Sequence, residues 1–363
     1  MIKEGEFYLI ILKTPIIVDT SDHKWILLKK ILGVLETRRC RQEIAKFGIK
    51  PANQAYTNLS IVLLSMFFSV EISYAINEIE KRIELQQFLR IDNIPTPNGV
   101  YRFMSQFSAE QFISMTHGIL NAVCPKKRHY FRKTIIIDGT SLSVDINWFR
   151  KRIQKSKLVN KPYNWQYSPS KGFYIGLKLT LAIDQNNLLP LAFLVHQNPV
   201  ADSKIFPLIL QELKRRRILN KGDRVLLDRG YYSYKNYVLS LIEYSVIPLI
   251  LPKKGFTFSK LENYLISPLT WFENKKSYQK VIELSHMKKE LKDALENSDE
   301  LAAQRSIIED VFKFGKEALN LDNIHRYTSR SLKKSIALCA LLMGLLIHFE
   351  FNKKDKLQRA SSG

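Results

Sequence analysis

With 363 residues, 45% of them apolar, the chain can build one large core plus a smaller satellite, which excludes an intrinsically disordered protein. Its 56 Lys and Arg against 34 Asp and Glu give a formal net charge of +22 spread along the whole length. A polyanionic partner follows; nucleic acid fits best, although ribosome-associated and anionic-membrane proteins share this balance. Cys40, Cys124 and Cys339 are widely separated and form no CxxC pair, so neither a disulfide framework nor a cysteine zinc site is expected, and a reducing cytoplasm is the simplest setting.

The start, MIKEGEFYLIILKTPIIV, lacks a clean basic opening, a long apolar core and a small-residue cleavage site, so no signal peptide is expected. Recurring apolar residues predict a helix from Ser21 to Phe47, ended by Gly48 and Pro51. Asn58 to Ser69 is a mostly apolar helix and Glu71 to Arg90 an amphipathic one. Thr96 and Pro97 read as an N-cap and a first helical residue, opening a short helix, Asn98 to Gln106, that bears Tyr101 and Arg102. That arrangement is compatible with a helix-turn-helix reader of DNA and equally with a pair of helices that only pack.

The charge run PKKRHYFRK, Pro125 to Lys133, precedes an abrupt change to strand-like sequence. A boundary there divides the chain into a helical domain of residues 1–125, which carries the candidate DNA reader, a strand-containing domain of residues 126–349 and a basic tail of residues 350–363. Strands are predicted at Thr134 to Ile137, Phe173 to Ile183 and Leu189 to Val195, an antiparallel start to a sheet. A helix from Asp202 to Arg217, a strand from Arg224 to Leu227, a helix from Tyr234 to Ile242 and a strand from Val246 to Leu251 then make its second half parallel. The expected fold class is therefore α/β (α+β), a mixed sheet flanked by helices and preceded by an all-helical domain. Residues 253–300 read as a Lys- and Glu-rich insertion with a helix at 286–296, and the chain closes with helices Leu301 to Leu319 and Ser331 to Phe349. The most apolar run, Ile336 to Phe349, is shorter than the roughly 20 residues of a bilayer span, so a buried core helix is expected and no membrane partner.

An aspartate ending a buried strand needs a partner or a metal to offset its desolvation. TIIID ends at Asp138 and RVLLD at Asp228. On neighbouring strands their side chains emerge at one edge and can share divalent cations; the bland alternative is that each caps the following turn. A third acid lies in LAAQRSIIEDVFKFGKEAL, where Arg305, Glu309 and Lys316 fall within roughly 40° of each other on a helix, beside the apolar face Ile308, Val311, Phe312 and Leu319. Spacing alone fits an ordinary salt-bridged amphipathic helix just as well. In-line phosphodiester chemistry is served by two divalent ions that hold the attacking and leaving oxygens, and Mg²⁺ needs few protein ligands.

With IIIDGT, LLDRGYYS and R-x3-E-x6-K, the chain resembles the DDE transposases of bacterial and archaeal insertion sequences, of the insertion-sequence-four type. The family signature has a tyrosine three residues before the arginine, where this chain has Ala302. The resemblance implies an RNase H-like catalytic domain, Mg²⁺ or Mn²⁺ as cofactor, and Asp138, Asp228 and Glu309 as catalytic metal ligands. It implies phosphate contacts from Arg305 and Lys316, double-stranded DNA partners (transposon ends and target), at least a homodimer in a synaptic complex, and a cytoplasmic, nucleoid-associated location. Further DNA-contact candidates are Arg229 and Tyr231 in LLDRGYYS, Arg102, and the basic, aromatic-rich segment Trp148 to Tyr174 with Lys151, Arg152 and Lys171. His196 and Asp202 in FLVHQNPVADS are weighed as neighbours of the metals, with Asp202 read first as a helix N-cap. Asp145, Asp184 and Asp223 are read as turn residues. The rival functions are a nuclease on the same scaffold that cuts without joining, and a DNA-binding derivative without activity.

Overall fold

A computed structural model describes residues 19, 21–48, 52–123, 132–156, 162–168, 171–265, 275–322, 326–351 and 357. The apolar start, most of the 125–133 linker, Cys124, Lys157, Lys161 and nearly all of the basic tail lie outside them. The helices are α1 (His23–Glu36), α2 (Arg38–Ala45), α3 (Ala52–Phe67), α4 (Ile72–Lys81), α5 (Ile83–Leu89), α6 (Pro97–Gln106), α7 (Ala109–Val123), α8 (Ile146–Trp148), α9 (Asp202–Arg215), α10 (Tyr234–Val238), α11 (Phe258–Tyr264), α12 (Lys275–Glu296), α13 (Ser298–Arg305), α14 (Ile307–Leu319) and α15 (Ser329–Phe349). The strands are β1 (Thr134–Ser143), β2 (Asn164–Ser168), β3 (Gly172–Asp184), β4 (Pro190–His196), β5 (Arg224–Leu227) and β6 (Ile247–Ile250). These elements form two compact units.

The first unit takes residues 1–127, 144–162 and 312–363. Two helices expected to be continuous are divided in it. Thr37 is extended; its hydroxyl donates to the carbonyl of Val34 and accepts from the N–H of Cys40, closing α1 and capping α2 in one residue. Arg82 is also extended, and the carbonyl of Ile79 at the end of α4 accepts both from the Arg82 N–H and, at 2.8 Å, from the Gln86 side chain. Neither break interrupts the apolar period, so pattern alone does not reveal it. Thr96 caps α6 as expected, accepting from the N–H of Gly99 with Pro97 in the first turn.

The last helix belongs to this unit as well. α15 packs on α7, α1 and α3, and Gly344 lets it approach α7 so closely that a Cβ there would lie 2.5 Å from Leu120. It is long and apolar enough to cross a membrane, so length does not argue against a span as the sequence reading had it. Burial does: 78% of its most apolar window is covered within the protein. Each fully buried Leu or Ile along it contributes about 1.5–3 kcal/mol relative to exposure. The compact units thus differ in outline from the linear division at residue 125, because α15 buries its apolar side chains on N-terminal helices.

The second unit takes residues 128–143 and 163–311. Its sheet runs β2-β3-β1-β5-β6, with β4 also paired to β3. β1, β2 and β4 are antiparallel to β3, whereas β5 is parallel to both β1 and β6, the mixed, RNase H-like order expected. α9 connects β4 to β5; α10, which runs on into a π-helical turn at Leu239–Tyr244, connects β5 to β6. β1 is longer than its apolar run predicts: it passes Asp138 and stays paired with β3 to Ser143. Gly176 permits this, since a Cβ there would meet the Leu142 carbonyl oxygen at 2.0 Å. β2 lies in the segment that the sequence reading assigned to basic and aromatic DNA contacts.

Within residues 253–300, the helix expected at 286–296 begins at Lys275. α12 buries Leu284, Met287 and Leu291 and packs on β6, while Glu290 pairs with Arg132 and Arg224. This part of the expected insertion is therefore a layer of the unit.

Candidate functional site

Parallel pairing places Ile137 opposite Leu227, so the residues that follow, Asp138 and Asp228, stand side by side at one edge of the sheet. Asp138 does not end its strand; it sits mid-strand, opposite Leu181 of β3. One carboxylate oxygen accepts from the N–H of Gly139 at 2.8 Å, and the other accepts from Arg305 at 2.5 Å. The same guanidinium donates 2.7 Å to Glu309. Arg305 thereby joins the third acid to the first. The single helix expected over Leu301 to Leu319 is interrupted at Ser306, which keeps right-handed helical angles, so α13 and α14 remain nearly in line and preserve the four-residue contact.

Burial pushes the Asp138 carboxyl up to about 6, against the lowering effect of Arg305 and the Gly139 N–H; the charges of Asp228 and Asp202 act with burial. For Arg305, burial opposes the charge, but Asp138, Glu309 and Asp228 outweigh it and hold the guanidinium above its usual range.

Asp202 is not the N-cap it was read as. Ala201 holds that position, and the Asp202 carboxylate is ion-paired with Lys178 of β3. Sequence reasoning passed over Lys178, although a lone lysine within the apolar strand FYIGLKLTLAI was a signal that a partner must face it. His196 stands directly opposite Lys178 across the β3–β4 pair. Tyr231, proposed as a DNA contact, is corrected: it is 1% exposed and its ring packs against Phe206, so it cannot reach a duplex. Asp145, Asp184 and Asp223 do cap turns, accepting from the N–H groups of Trp148, Asn186 and Asn220 respectively.

The remaining predicted contacts are distributed over both units. In the second unit, Arg229 is exposed in the short turn after Asp228, and Lys171 is exposed at the β2–β3 connection, its ammonium 3.5 Å from the carbonyl of Ser141. In the first, Arg102 is exposed on α6, and Lys151 and Arg152 are exposed on the π-helical turn Phe149–Gln154. Lys316 lies on α14 with its ammonium 3.9 Å from Asp322. Of the interleaved aromatics, Tyr163 is fully buried, whereas Trp165, Tyr167 and Phe173 are 55%, 62% and 77% exposed.

A profile described as Transposase DDE domain matches residues 129–345, more than half of the chain. The chain belongs to that family. The match takes in all three acids of this DDE-domain chain. No curated protein matches it. Among solved structures, a cryo-EM structure of a piggyBac transposase synaptic complex with hairpin DNA aligns with 92% of this DDE-domain chain and 78% of its own, at 11% identity and a TM-score of 0.37.

Carboxylate oxygens are the donors that Mg²⁺ and Mn²⁺ prefer, and Asp138 and Asp228 are adjacent, so the chemistry of the donor set fits a divalent ion. Among the described residues, no three acidic, histidine or cysteine side chains already stand together as a metal cluster. Arg305, bonded to both Asp138 and Glu309, supplies the positive charge between them.

Proposed function

We propose that this protein is a transposase of the insertion-sequence-four type: it hydrolyses a phosphodiester at the ends of its own element and joins the freed 3′-OH to target DNA. The reading is carried by one observation, the adjacency of Asp138 in β1 and Asp228 just past the parallel β5, with Glu309 tied to Asp138 through Arg305. Asp138, Asp228 and Glu309 would hold Mg²⁺ or Mn²⁺, which supplies Lewis-acid stabilisation of the attacking and leaving oxygens of an in-line displacement.

The chain's own residues do the rest. β1 fixes Asp138, and Asp228 directly follows the last paired residue of β5, so little free loop separates either from the sheet. With its carboxyl at about 6, Asp138 is ionised at neutral pH and available as a ligand. Arg305 orients Glu309, and its planar fork suits a phosphate oxygen of the DNA. Exposed Arg229, Lys171, Lys151, Arg152 and Arg102, together with Lys316, contribute charge for backbone contacts, consistent with the net +22. Cutting and joining two ends calls for at least a homodimer, working on DNA in the cytoplasm at the nucleoid. The helical region of residues 1–125 serves in end binding and residues 126–349 in catalysis.

The test is an Mg²⁺ reaction of the full chain with DNA carrying the terminal inverted repeats that flank its gene. Expected products are a nick exposing a 3′-OH, followed by joined DNA, both lost in Asp138→Ala. Cleavage without joining would make it a nuclease, and binding without cleavage a DNA-binding derivative. Cleavage undiminished in Asp138→Ala would overturn the metal assignment.

A further inference from the structure

The Lys178–Asp202 ion pair lies beside the backbone that follows each of the two aspartates. Gly139 follows Asp138, and a Cβ there would lie 2.6 Å from Cε of Lys178. Gly230 is two residues past Asp228, and a Cβ there would lie 3.0 Å from a carboxylate oxygen of Asp202. Both glycines leave room for the pair. Asp202 is close enough for its charge to act on Asp138.

Beneath the pair are buried polar atoms whose bonding capacity is not filled. The Tyr231 hydroxyl is 3.6 Å from the same Gly139 position, and its side chain is buried almost completely. It faces Thr180 Oγ1, which is also buried; two hydroxyls share at most one hydrogen bond between them, so one O–H is left without an acceptor. The Nε2 of His196 is likewise buried and unpartnered. Buried polar groups in native proteins are almost always satisfied, and phenylalanine would fill the Tyr231 site without that cost. A spare buried O–H within the field of Asp138, Asp202 and Asp228 marks a place whose acceptor arrives with a ligand.

We propose that Asp202 is a fourth carboxylate of the divalent-cation site, restrained by Lys178 and backed by the Tyr231 hydroxyl. The inference rests on the metal-dependent reading above. Lys178 and an incoming cation compete for one carboxylate, so the two halves of the ion pair act on metal affinity with opposite sign. Tyr231 would donate its hydroxyl hydrogen to a carboxylate of the site, and so would contribute more to ion binding than to the metal-free fold.

The experiment is titration of the full-length, metal-free protein with Mn²⁺, followed by paramagnetic resonance of the free ion and paired with thermal melts. Asp202→Asn is expected to weaken Mn²⁺ binding about 10- to 100-fold, the range for residues that support a metal site. Lys178→Met is expected to tighten it several-fold, and this gain is expected to vanish in the Asp202→Asn background. Tyr231→Phe is expected to weaken Mn²⁺ binding while the metal-free Tm stays equal or rises. Variants that lower Tm but leave Mn²⁺ affinity unchanged would make the pair purely structural and overturn the proposal. So would tightening by Lys178→Met that persists without Asp202. Asp138→Asn separates the two levels. If it abolishes Mn²⁺ binding while Asp202→Asn does nothing, only this inference fails; if it too leaves binding intact, the metal-dependent reading falls.

Discussion

The two ends of the central strands use the same residue types to opposite effect. Where β1 and β5 begin, Lys133 and Asp223 form a buried ion pair whose members are otherwise satisfied: Lys133 also donates to the carbonyl of Ile218, and Asp223 accepts from the N–H groups of Lys133 and Asn220. At the Asp138 end, burial raises a carboxyl to about 6, two neighbouring acids add to the repulsion, and buried Tyr231, Thr180 and His196 polar atoms keep unfilled bonding capacity. Saturated hydrogen bonding makes the first end a structural clamp. The second end carries an unresolved charge problem, and functional sites are where proteins keep such problems.

The largest expected contrast comes from breaking the clamp. Asp223→Ala leaves Lys133 buried without its counter-charge and removes one turn and one long-range hydrogen bond, so a loss of about 3–5 kcal/mol is expected. For a unit of this size that is a fall of about 10 °C in Tm, read by thermal denaturation. Mn²⁺ binding by the protein that remains folded should be unaffected.

Asp138→Asn should act in the other direction on the metal-free protein. A folded-state carboxyl near 6, against 3.8 for the ordinary group, means that the folded form holds its proton more tightly. Stability therefore falls as pH rises from about 4 to about 6. Two units correspond to about 3 kcal/mol at most, and loss of the Arg305 contact reduces this, so a gain of about 1–2 kcal/mol is expected at pH 7.5. Urea unfolding at pH 7.5 and pH 4 reads it; the gain should disappear at the lower pH. A destabilised variant at pH 7.5 would mean that Arg305 more than compensates the burial of Asp138, and the contrast between the two ends would shrink accordingly.

Smallest is Glu290→Gln on α12, which weakens the pairs to Arg132 and Arg224 near the clamp end. Both arginines are about half exposed, so less than about 1 kcal/mol is expected, and the difference should diminish further in high salt.

Much of this was legible in the chain itself. Strand-ending aspartates after TIII and RVLL marked Asp138 and Asp228 because a buried carboxylate has few tolerable explanations. The four-residue offset of Arg305 and Glu309 anticipated their contact, which survives the interruption at Ser306. What failed to show were local events with no periodic signature: the breaks at Thr37 and Arg82, the extension of β1 past Asp138, and the length of α12. Each depends on a capping side chain, a close backbone approach or a packing partner supplied from elsewhere.

Sequence by itself thus marked Asp138, Asp228 and the Arg305–Glu309 pair and carried the family signature, since those depend on residue type and local pattern. Tertiary structure alone decided which side chains meet. It joined Glu309 to Asp138 through Arg305, converted Asp202 from an apparent helix cap into the partner of Lys178, and turned Tyr231 inward among the acids. Helix and strand periods specify which face a residue occupies; the register between β1, β3 and β5 specifies what stands across from it, and that register is set by packing over the whole sheet.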